Sequence, residues 1–343
     1  MKWLAAKWLA VMLLTVGALL AAPRADATTT CSITSISNLA FGPVDPTGTF
    51  VTTTATLNYS CTYAGALGSL YGSYISACVS LGTDDLANFA PRTIVNANND
   101  RMQYQVFKDP GLTSIWGRVN NATYTPQTFT RQIGILSNGA TLTGSLTIYG
   151  QVPALQGTLS PGSYSGTLLG SLTGNALTWS YNEALLTIGT YPASCSAGGT
   201  VAAQTVAAPS MTTTANVAAR CTFGTATDLN FGSVPGLLRT NTDQTSLLRA
   251  TCTNRAAYQV GLDNGSNASG TTRRMTDGTR FVTYELYRDA ARTLRWGATL
   301  NTDTATATGS GAEQTLTVYG RLPQQTAARA GAYSDIVTVT ITY

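Results

Sequence analysis

Short stretches of alternating polar and apolar residues recur along the chain. The segment IVTVTITY, residues 336–343, puts threonines on one face and residues such as Val337 and Ile341 on the other. The segments 51–61 and 281–289 alternate in the same way. Successive side chains of a strand point to opposite faces, so each segment is typical of a half-buried strand. Many short strands separated by turn residues predict an all-β fold of sandwich or barrel type.

The strand and turn pattern occurs twice. YQVFKDPGLTSIWG (104–117) matches YELYRDAARTLRWG (284–297), with the tyrosine, aspartate, tryptophan and glycine in step. A cysteine followed by L-x-F-G, a second cysteine and an L-T-[IV]-Y-G strand also recur in the same order. The sequence therefore predicts two homologous domains. For the tryptophan stretch itself, core packing and turn formation are favoured over a ligand role.

The first 27 residues are typical of a secretory signal peptide. Lys2 and Lys7 precede a short apolar run, and an A-x-A cleavage pattern follows at 25–27. No later segment reaches the roughly 18 apolar residues that a spanning helix needs. We therefore expect an exported chain that begins near Thr28.

The cysteines of an exported chain are expected to form disulfides. There are six of them, an even number, and the chain has no histidine and no C-x-x-C pair, which disfavours a metal site. Two pairs occupy equivalent places in the repeat, and the third follows by exclusion. The expected bonds are Cys31–Cys61, Cys221–Cys252 and Cys78–Cys195.

The residues shared by the two copies resemble the spore coat protein U domain. They include the cysteines, L-x-F-G, the W-G turn, the L-T-[IV]-Y-G strand and an Arg-Met pair at 101–102 and 274–275. A secreted chain with two such copies is similar to the tip subunit of archaic, Csu-type chaperone-usher pili. The resemblance implies two immunoglobulin-like (pilin-like) sandwiches. It also implies three kinds of partner: a periplasmic pilus chaperone, an outer-membrane usher, and an adjacent pilin subunit joined by donor-strand exchange.

The two copies end differently. After Tyr164 the first copy continues to Cys195 and includes an alternating stretch around 184–191, which we expect to complete its own sheet. The second copy has only 336–343 after the matching tyrosine, so we expect an incomplete sandwich with an open groove that a donor strand completes. The expected residues at the groove edge are Ile336, Val337, Val339, Ile341 and Tyr343.

An alternative is that residues 201–220 fold back and close the second copy, although 212–219 are expected to form its first strand. The expected division is 28–195 for an adhesive N-terminal domain, 196–220 for a linker with that first strand, and 221–343 for a pilin domain. Only three threonines separate the expected cleavage site from Cys31. We therefore expect a subunit that receives a strand, donates none and lies at the end of a fibre.

The first copy carries three insertions with apolar and aromatic residues among glycines. Such residues on loops are unusual and can form a contact surface; the alternative is that they plug the end of the domain. The expected surface-binding residues are Leu67, Leu70, Tyr71, Tyr74, Tyr124, Phe129, Leu177 and Trp179.

Catalysis has little support, because the chain lacks histidine and any nucleophile motif. Asp84 and Asp85 are read as solvated charges. A net charge of only +4, and arginines without interleaved aromatic residues, disfavour nucleic-acid binding. We expect no enzyme activity, cofactor or metal. The leading hypothesis is a tip adhesin that binds abiotic or host surfaces and promotes attachment and biofilm formation. A lectin variant, with Tyr71 or Trp179 stacked on a sugar, and a non-adhesive minor pilin or coat protein remain alternatives.

Overall fold

The fold is all-β and consists of two sandwiches, which residues 218–220 connect. The computed structural model describes residues 28–64, 71–135, 139–168, 176–185, 189–204, 208–234, 238–326 and 329–343, and these ranges contain strands and turns but no helix. No membrane-spanning helix is found in the described ranges.

The N-terminal sandwich contains strands β1 to β12. Its larger sheet has the order β1-β3-β8-β6-β5-β9-β12-β2, and its smaller sheet has the order β11-β10-β4-β7. The strands are β1 Thr28–Ile36, β2 Leu39–Pro43, β3 Val51–Ala64, β4 Tyr71–Val79, β5 Arg92–Val95, β6 Arg101–Phe107, β7 Gln127–Ile133, β8 Thr141–Val152, β9 Gly162–Thr167, β10 Leu177–Leu185, β11 Thr200–Ala203 and β12 Thr212–Val217.

The C-terminal sandwich contains strands β13 to β20. Its sheets have the orders β13-β14-β19-β17-β16 and β18-β15-β20. The strands are β13 Cys221–Ala226, β14 Thr242–Cys252, β15 Ala257–Leu262, β16 Arg273–Thr276, β17 Phe281–Tyr287, β18 Ala305–Thr308, β19 Glu313–Leu322 and β20 Val339–Thr342. The sheets divide between β12 and β13, so we propose that the first domain extends through β12.

Each sandwich has its own apolar core, and the alternation along the strands builds it. In β3, Ala55, Leu57 and Tyr59 are buried while the residues between them are exposed. One cluster of buried residues lies within the N-terminal sandwich. The second, formed by residues from 238 to 322, lies within the C-terminal sandwich. Both repeat tryptophans are core residues, because Trp116 and Trp296 are buried and each donates its indole N–H to a strand carbonyl, of Val79 and Val260.

All three predicted disulfides are confirmed. Cys31 is bonded to Cys61 and Cys221 to Cys252, each joining directly paired residues of neighbouring antiparallel strands. The third bond, Cys78–Cys195, ties β4 to the segment that follows β10.

The proposed equivalence of the two Arg-Met pairs is wrong. Arg101 lies on β6 and Arg274 on β16, which occupy different places in their sheets. The equivalent residues are the buried arginines Arg92 and Arg273, each of which lies opposite a repeat tyrosine on the neighbouring strand. Arg92 donates to backbone carbonyls and to Gln105, and its burial lowers its pKa to about 10.

Candidate strand-binding groove

The larger sheet of the N-terminal sandwich is completed by β12. This strand lies between β9, to which it is antiparallel, and β2, to which it is parallel. Its inward side chains Thr213, Ala215 and Val217 are buried, while Asn216 is exposed. Backbone pairing on both sides and alternate burial on one face give β12 the character of an inserted strand.

The linker therefore belongs to the N-terminal sandwich. β11 pairs with the edge of β10, and Gln204 bridges the two sheets by donating its backbone N–H to Leu177 and accepting one from Ile33. Residues 201–220 do not close the second copy, and 212–219 are not its first strand. The alternative of a fold-back onto the second copy is therefore not supported, and the prediction that 212–219 form the first strand of that copy is wrong, because β11 and β12 both pair with the first copy.

The expected completing strand at 184–191 lies partly outside the described residues, because 186–188 are not described, and its first two residues belong to β10. β10 ends at Leu185 and pairs with β4, just as β20 pairs with β15 in the C-terminal sandwich. Both copies thus possess this strand. The two copies differ at one position in the sheet. In the first copy, β12 lies between β9 and β2, whereas no described strand lies between the counterparts of β9 and β2 in the second copy.

The counterpart of β9 can be located from the pairing. Ser165 of β9 pairs with Val95 of β5, and in the second copy Ser334 forms an isolated bridge with Thr276 of β16. This register makes three further pairs of residues equivalent in the two copies: Tyr164 and Tyr333, Gly166 and Asp335, and Leu168 and Val337. The counterpart of β2 is 229–233, which has the same L-x-F-G pattern.

Among the described residues, no strand like β12 fills the second groove. Leu39 and Tyr164 are fully buried, whereas their counterparts Leu229 and Tyr333 are half-exposed. The groove-lining residues that remain partly exposed include Leu229, Phe231, Met275, Tyr333 and Val337.

The backbone of the groove edge is also unpaired. In the first copy, Thr213 pairs with Gly166 and Leu168 donates its N–H to Met211 beside β12. The corresponding backbone groups of Asp335 and Val337 make no hydrogen bond with any described residue. The residues between and beside these two bond on the other side of the segment, away from the groove. For example, the backbone N–H of Ser266 donates to the carbonyl of Ile336. The groove thus offers an unpaired strand edge above an apolar floor.

A carboxylate lies in this otherwise apolar groove. Asp335 accepts hydrogen bonds from the backbone and side-chain nitrogens of Asn267, at 3.1 and 3.0 Å, and from the hydroxyl of Tyr284 at 2.7 Å. Burial raises the pKa of the Tyr284 hydroxyl well above its usual range, and the bond to the carboxylate adds to this effect. Tyr284 is therefore a fixed neutral donor to Asp335.

The predicted groove-edge residues divide between two places. Val337 lies beside the groove and packs against the core, and Ile336 points outward with 73% of its side chain exposed. Val339, Ile341 and Tyr343 follow the strand into the other sheet, where β20 pairs with β15. Sequence reasoning missed the opposite edge at 229–233, although the repeated L-x-F-G could have located it.

Most of the predicted surface-binding residues are not exposed on loops. Tyr74, Leu177 and Trp179 are buried, because β4 and β10 are strands whose inward faces join the core, so the prediction is wrong for them. Phe129 is half-buried and stacks on Tyr59, with 4.2 Å between ring centroids. The alternating LTWSY at 177–181 could have indicated a strand. Tyr124 is also half-buried, against Phe89, whereas Leu67 and Leu70 lie outside the described residues.

The register brings several strand ends together at one end of the N-terminal sandwich, which we call the apex. Tyr71 is paired with Leu185, and Thr28 with Ala64. The apex carries half-buried Tyr71 and exposed Leu185 and Tyr191. The connections 65–70 and 186–188 lie outside the described residues.

The opposite end of the N-terminal sandwich contacts the C-terminal sandwich. Asn254 donates to the Thr158 carbonyl at 2.6 Å, and Arg255 lies 3.2 Å from Asp100. The apex and the open groove therefore lie in different sandwiches. The junction, meaning the contact between the two sandwiches, lies at the end of the first sandwich opposite the apex. Among the described residues, no group of histidine, cysteine or acidic side chains is arranged to hold a metal ion.

Comparison with known proteins identifies the repeat. The family model of the Spore Coat Protein U domain matches residues 16–170 and again residues 207–340. Protein U of Myxococcus xanthus is 31% identical over 145 residues, which is 38% of this chain and 80% of that protein.

Two solved structures resemble the whole chain more distantly. One is the CsuC-CsuE chaperone–tip adhesion subunit pre-assembly complex from the archaic chaperone-usher Csu pili of Acinetobacter baumannii, with 17% identity and a TM-score of 0.48 over 92% of this chain and 100% of that one. The other is the CupB6 tip adhesin from Pseudomonas aeruginosa, with 12% identity and a TM-score of 0.36 over 92% and 95% of the two chains.

Proposed function

Because this chain belongs to the spore coat protein U domain family, we propose that it is a subunit of a chaperone-usher pilus whose C-terminal sandwich accepts a strand from a neighbouring subunit. The observation that carries this proposal is the contrast between two homologous grooves in one chain. One groove holds β12, and the other has an unpaired edge at Asp335 and Val337. An added strand would supply both the main-chain hydrogen bonds and the alternate side chains.

The open groove implies the assembly partners. An unpaired edge over apolar side chains invites aggregation unless another chain covers it. A periplasmic chaperone would cover the groove after export, and an outer-membrane usher would exchange that cover for the strand of the adjacent pilin subunit. The expected location is the cell surface, at the end of the fibre.

The use of the strands supports the proposed terminal position. β12 already fills the N-terminal groove, so this sandwich needs no strand from another subunit. From Thr28 onward the chain forms β1, which pairs with β3 along its length. Within the described ranges, no strand remains free to be donated, which supports a subunit that receives a neighbour on one side only.

The apex is the part of such a tip that faces outward. Tyr71, Leu185 and Tyr191 present apolar surface there. Burial of apolar surface contributes roughly 25 cal/mol per Å², and many tips on one cell add their contacts through avidity. We infer adhesion to hydrophobic abiotic or host surfaces, with attachment and biofilm formation as its consequence.

Adsorption of the purified full-length chain to hydrophobic plastic tests the adhesive role. The combined variant Tyr71→Ser, Leu185→Ser, Tyr191→Ser should lose adsorption by about tenfold or more, because it removes apolar contact area at the apex. Leu155→Ser is the matched control, since Leu155 is 79% exposed but lies in the loop after β8, towards the junction. Equal adsorption of the triple variant and the wild type would favour a non-adhesive structural subunit.

Incorporation into fibres tests the groove separately. Phe231→Asp puts a charge on the groove floor and should prevent assembly, whereas Leu294→Asp changes an exposed turn residue and should not. The surface fraction of each variant in cells that express the assembly system is the measurement. Normal display of Phe231→Asp would contradict the strand-acceptor role.

A further inference from the structure

We propose that Asp335 selects the strand that enters the C-terminal groove and requires, at the position paired with it, a residue no larger than serine. This inference rests on the proposed strand-acceptor function. Its occupant is a segment of another polypeptide with apolar residues at the other inward positions and serine or glycine opposite Asp335.

The N-terminal groove supplies the template for this position. Thr213 of β12 pairs directly with Gly166 of β9, so both residues face the interior on the same side of the sheet. Thr213 is fully buried. A Cβ atom at Gly166 would lie 3.0 Å from Ile94 Cγ2, so the first groove provides little room for a side chain on the acceptor strand. Its pair thus combines a glycine acceptor with a threonine on the inserted strand.

The C-terminal groove reverses this arrangement. Asp335 is the counterpart of Gly166 and brings a carboxylate to the acceptor side of the pair. Two nitrogens of Asn267 and the Tyr284 hydroxyl hold the carboxylate in place. An incoming strand with a large side chain here would meet both the volume and the charge of Asp335.

The hydrogen bonding of the carboxylate decides which small residue fits. An ionised carboxylate has about four acceptor sites, and three hydrogen bonds to Asp335 are present. A serine hydroxyl can donate to the remaining site, and a glycine leaves space for a water molecule. Valine would cover the carboxylate and offer no donor, so the polar group would be buried with an unmade hydrogen bond.

Binding of synthetic peptides to the full-length protein tests the selection. The parent peptide is APSMTTTANV, residues 208–217, which includes the strand that fills the first groove. Serine, glycine or valine replaces the residue at Thr213. The serine peptide should bind the wild type about tenfold more tightly than the valine peptide, because valine leaves the buried carboxylate without a donor.

Variants of the protein assign the preference to Asp335. Asp335→Gly recreates the first groove and should abolish or reverse the preference for serine over valine. Asp335→Asn keeps the size and removes the charge, and should reduce the preference. Ser334→Gly changes the outward-facing neighbour on the same segment and should leave the preference intact.

The possible results separate the two proposals. If none of the peptides binds the wild type or Asp335→Gly, the strand-acceptor function itself is contradicted. If peptides bind but serine and valine are equivalent, or if the preference persists in Asp335→Gly, the acceptor function stands and selection by Asp335 is overturned.

Discussion

The N-terminal and C-terminal sandwiches are built from the same repeat but differ in how the groove beside the repeat tyrosine is filled. Tyr164 is buried beside β12, whereas its counterpart Tyr333 is half-exposed beside an empty position. The two grooves share the L-x-F-G edge and a tyrosine on the opposite edge, and they differ at Gly166, whose counterpart is Asp335. The comparison shows that two grooves of the same repeat differ in whether a described strand fills them, and the proposed acceptor role of the second sandwich depends on this difference.

The largest expected effect comes from disrupting the strand that distinguishes the sandwiches. Ala215→Glu puts a charge at a buried position of β12 and should destabilise the N-terminal sandwich by about 5 kcal/mol, because a buried unpaired charge is strongly unfavourable. The free energy of unfolding of each sandwich is measured in denaturant, with hydrogen-exchange mass spectrometry as the probe. Asn216→Glu, on the exposed face of β12, is the control and should change little. Equal stability of the two variants would contradict the burial of β12.

A matched pair of truncations compares the groove floors directly. Phe41→Ala should destabilise its sandwich by about 4 kcal/mol, as is usual for a buried phenylalanine. Phe231→Ala should have roughly half that effect, because Phe231 is half-exposed without a strand above it. Local unfolding free energies from hydrogen exchange give both values. Similar losses at both positions would argue against an open second groove.

The disulfide without a counterpart provides a third comparison. Replacing Cys78 and Cys195 together by alanine should destabilise the N-terminal sandwich by about 3 kcal/mol, since the bond closes a long loop in the unfolded chain. The C-terminal sandwich has no equivalent bond and serves as the internal control in the same unfolding experiment. A change shared by both sandwiches would show that they do not unfold independently.

The smallest effect is expected at the buried arginines. Arg273 forms an ion pair with Glu285, whereas Arg92 has the neutral Gln105 in that place. Glu285→Gln should therefore cost about 2 kcal/mol, because the glutamine oxygen can still accept from Arg273, as Gln105 does from Arg92, but its amide nitrogen cannot accept the bond from Arg295 Nε. Chemical denaturation measures the loss, with Gln105→Glu as the reciprocal variant. A loss as large as that of Phe41→Ala would show that the charge itself is required.

The sequence predicts the repeat and the alternating strands at 51–61, 281–289 and 336–343, because alternation is a local signal. It also predicts all three disulfides, two from their equivalent places in the repeat and Cys78–Cys195 by exclusion. It did not predict which sandwich β12 joins, since the alternation of 212–217 identifies a strand but not its partner. Trp179 was placed on a loop because glycine and asparagine precede it, yet tertiary pairing with β4 buries it. The carboxylate of Asp335 acquires meaning only once its register with Gly166 is known.

The most direct test of the account measures amide hydrogen exchange at the two acceptor edges of the unliganded chain. Gly166 and Leu168 should be protected by β12, and Asp335 and Val337 should exchange rapidly until a saturating peptide from residues 208–217, with serine in place of Thr213, protects them. Equal protection of both edges in the free chain, or no added protection with the peptide, would contradict the open groove on which the account depends.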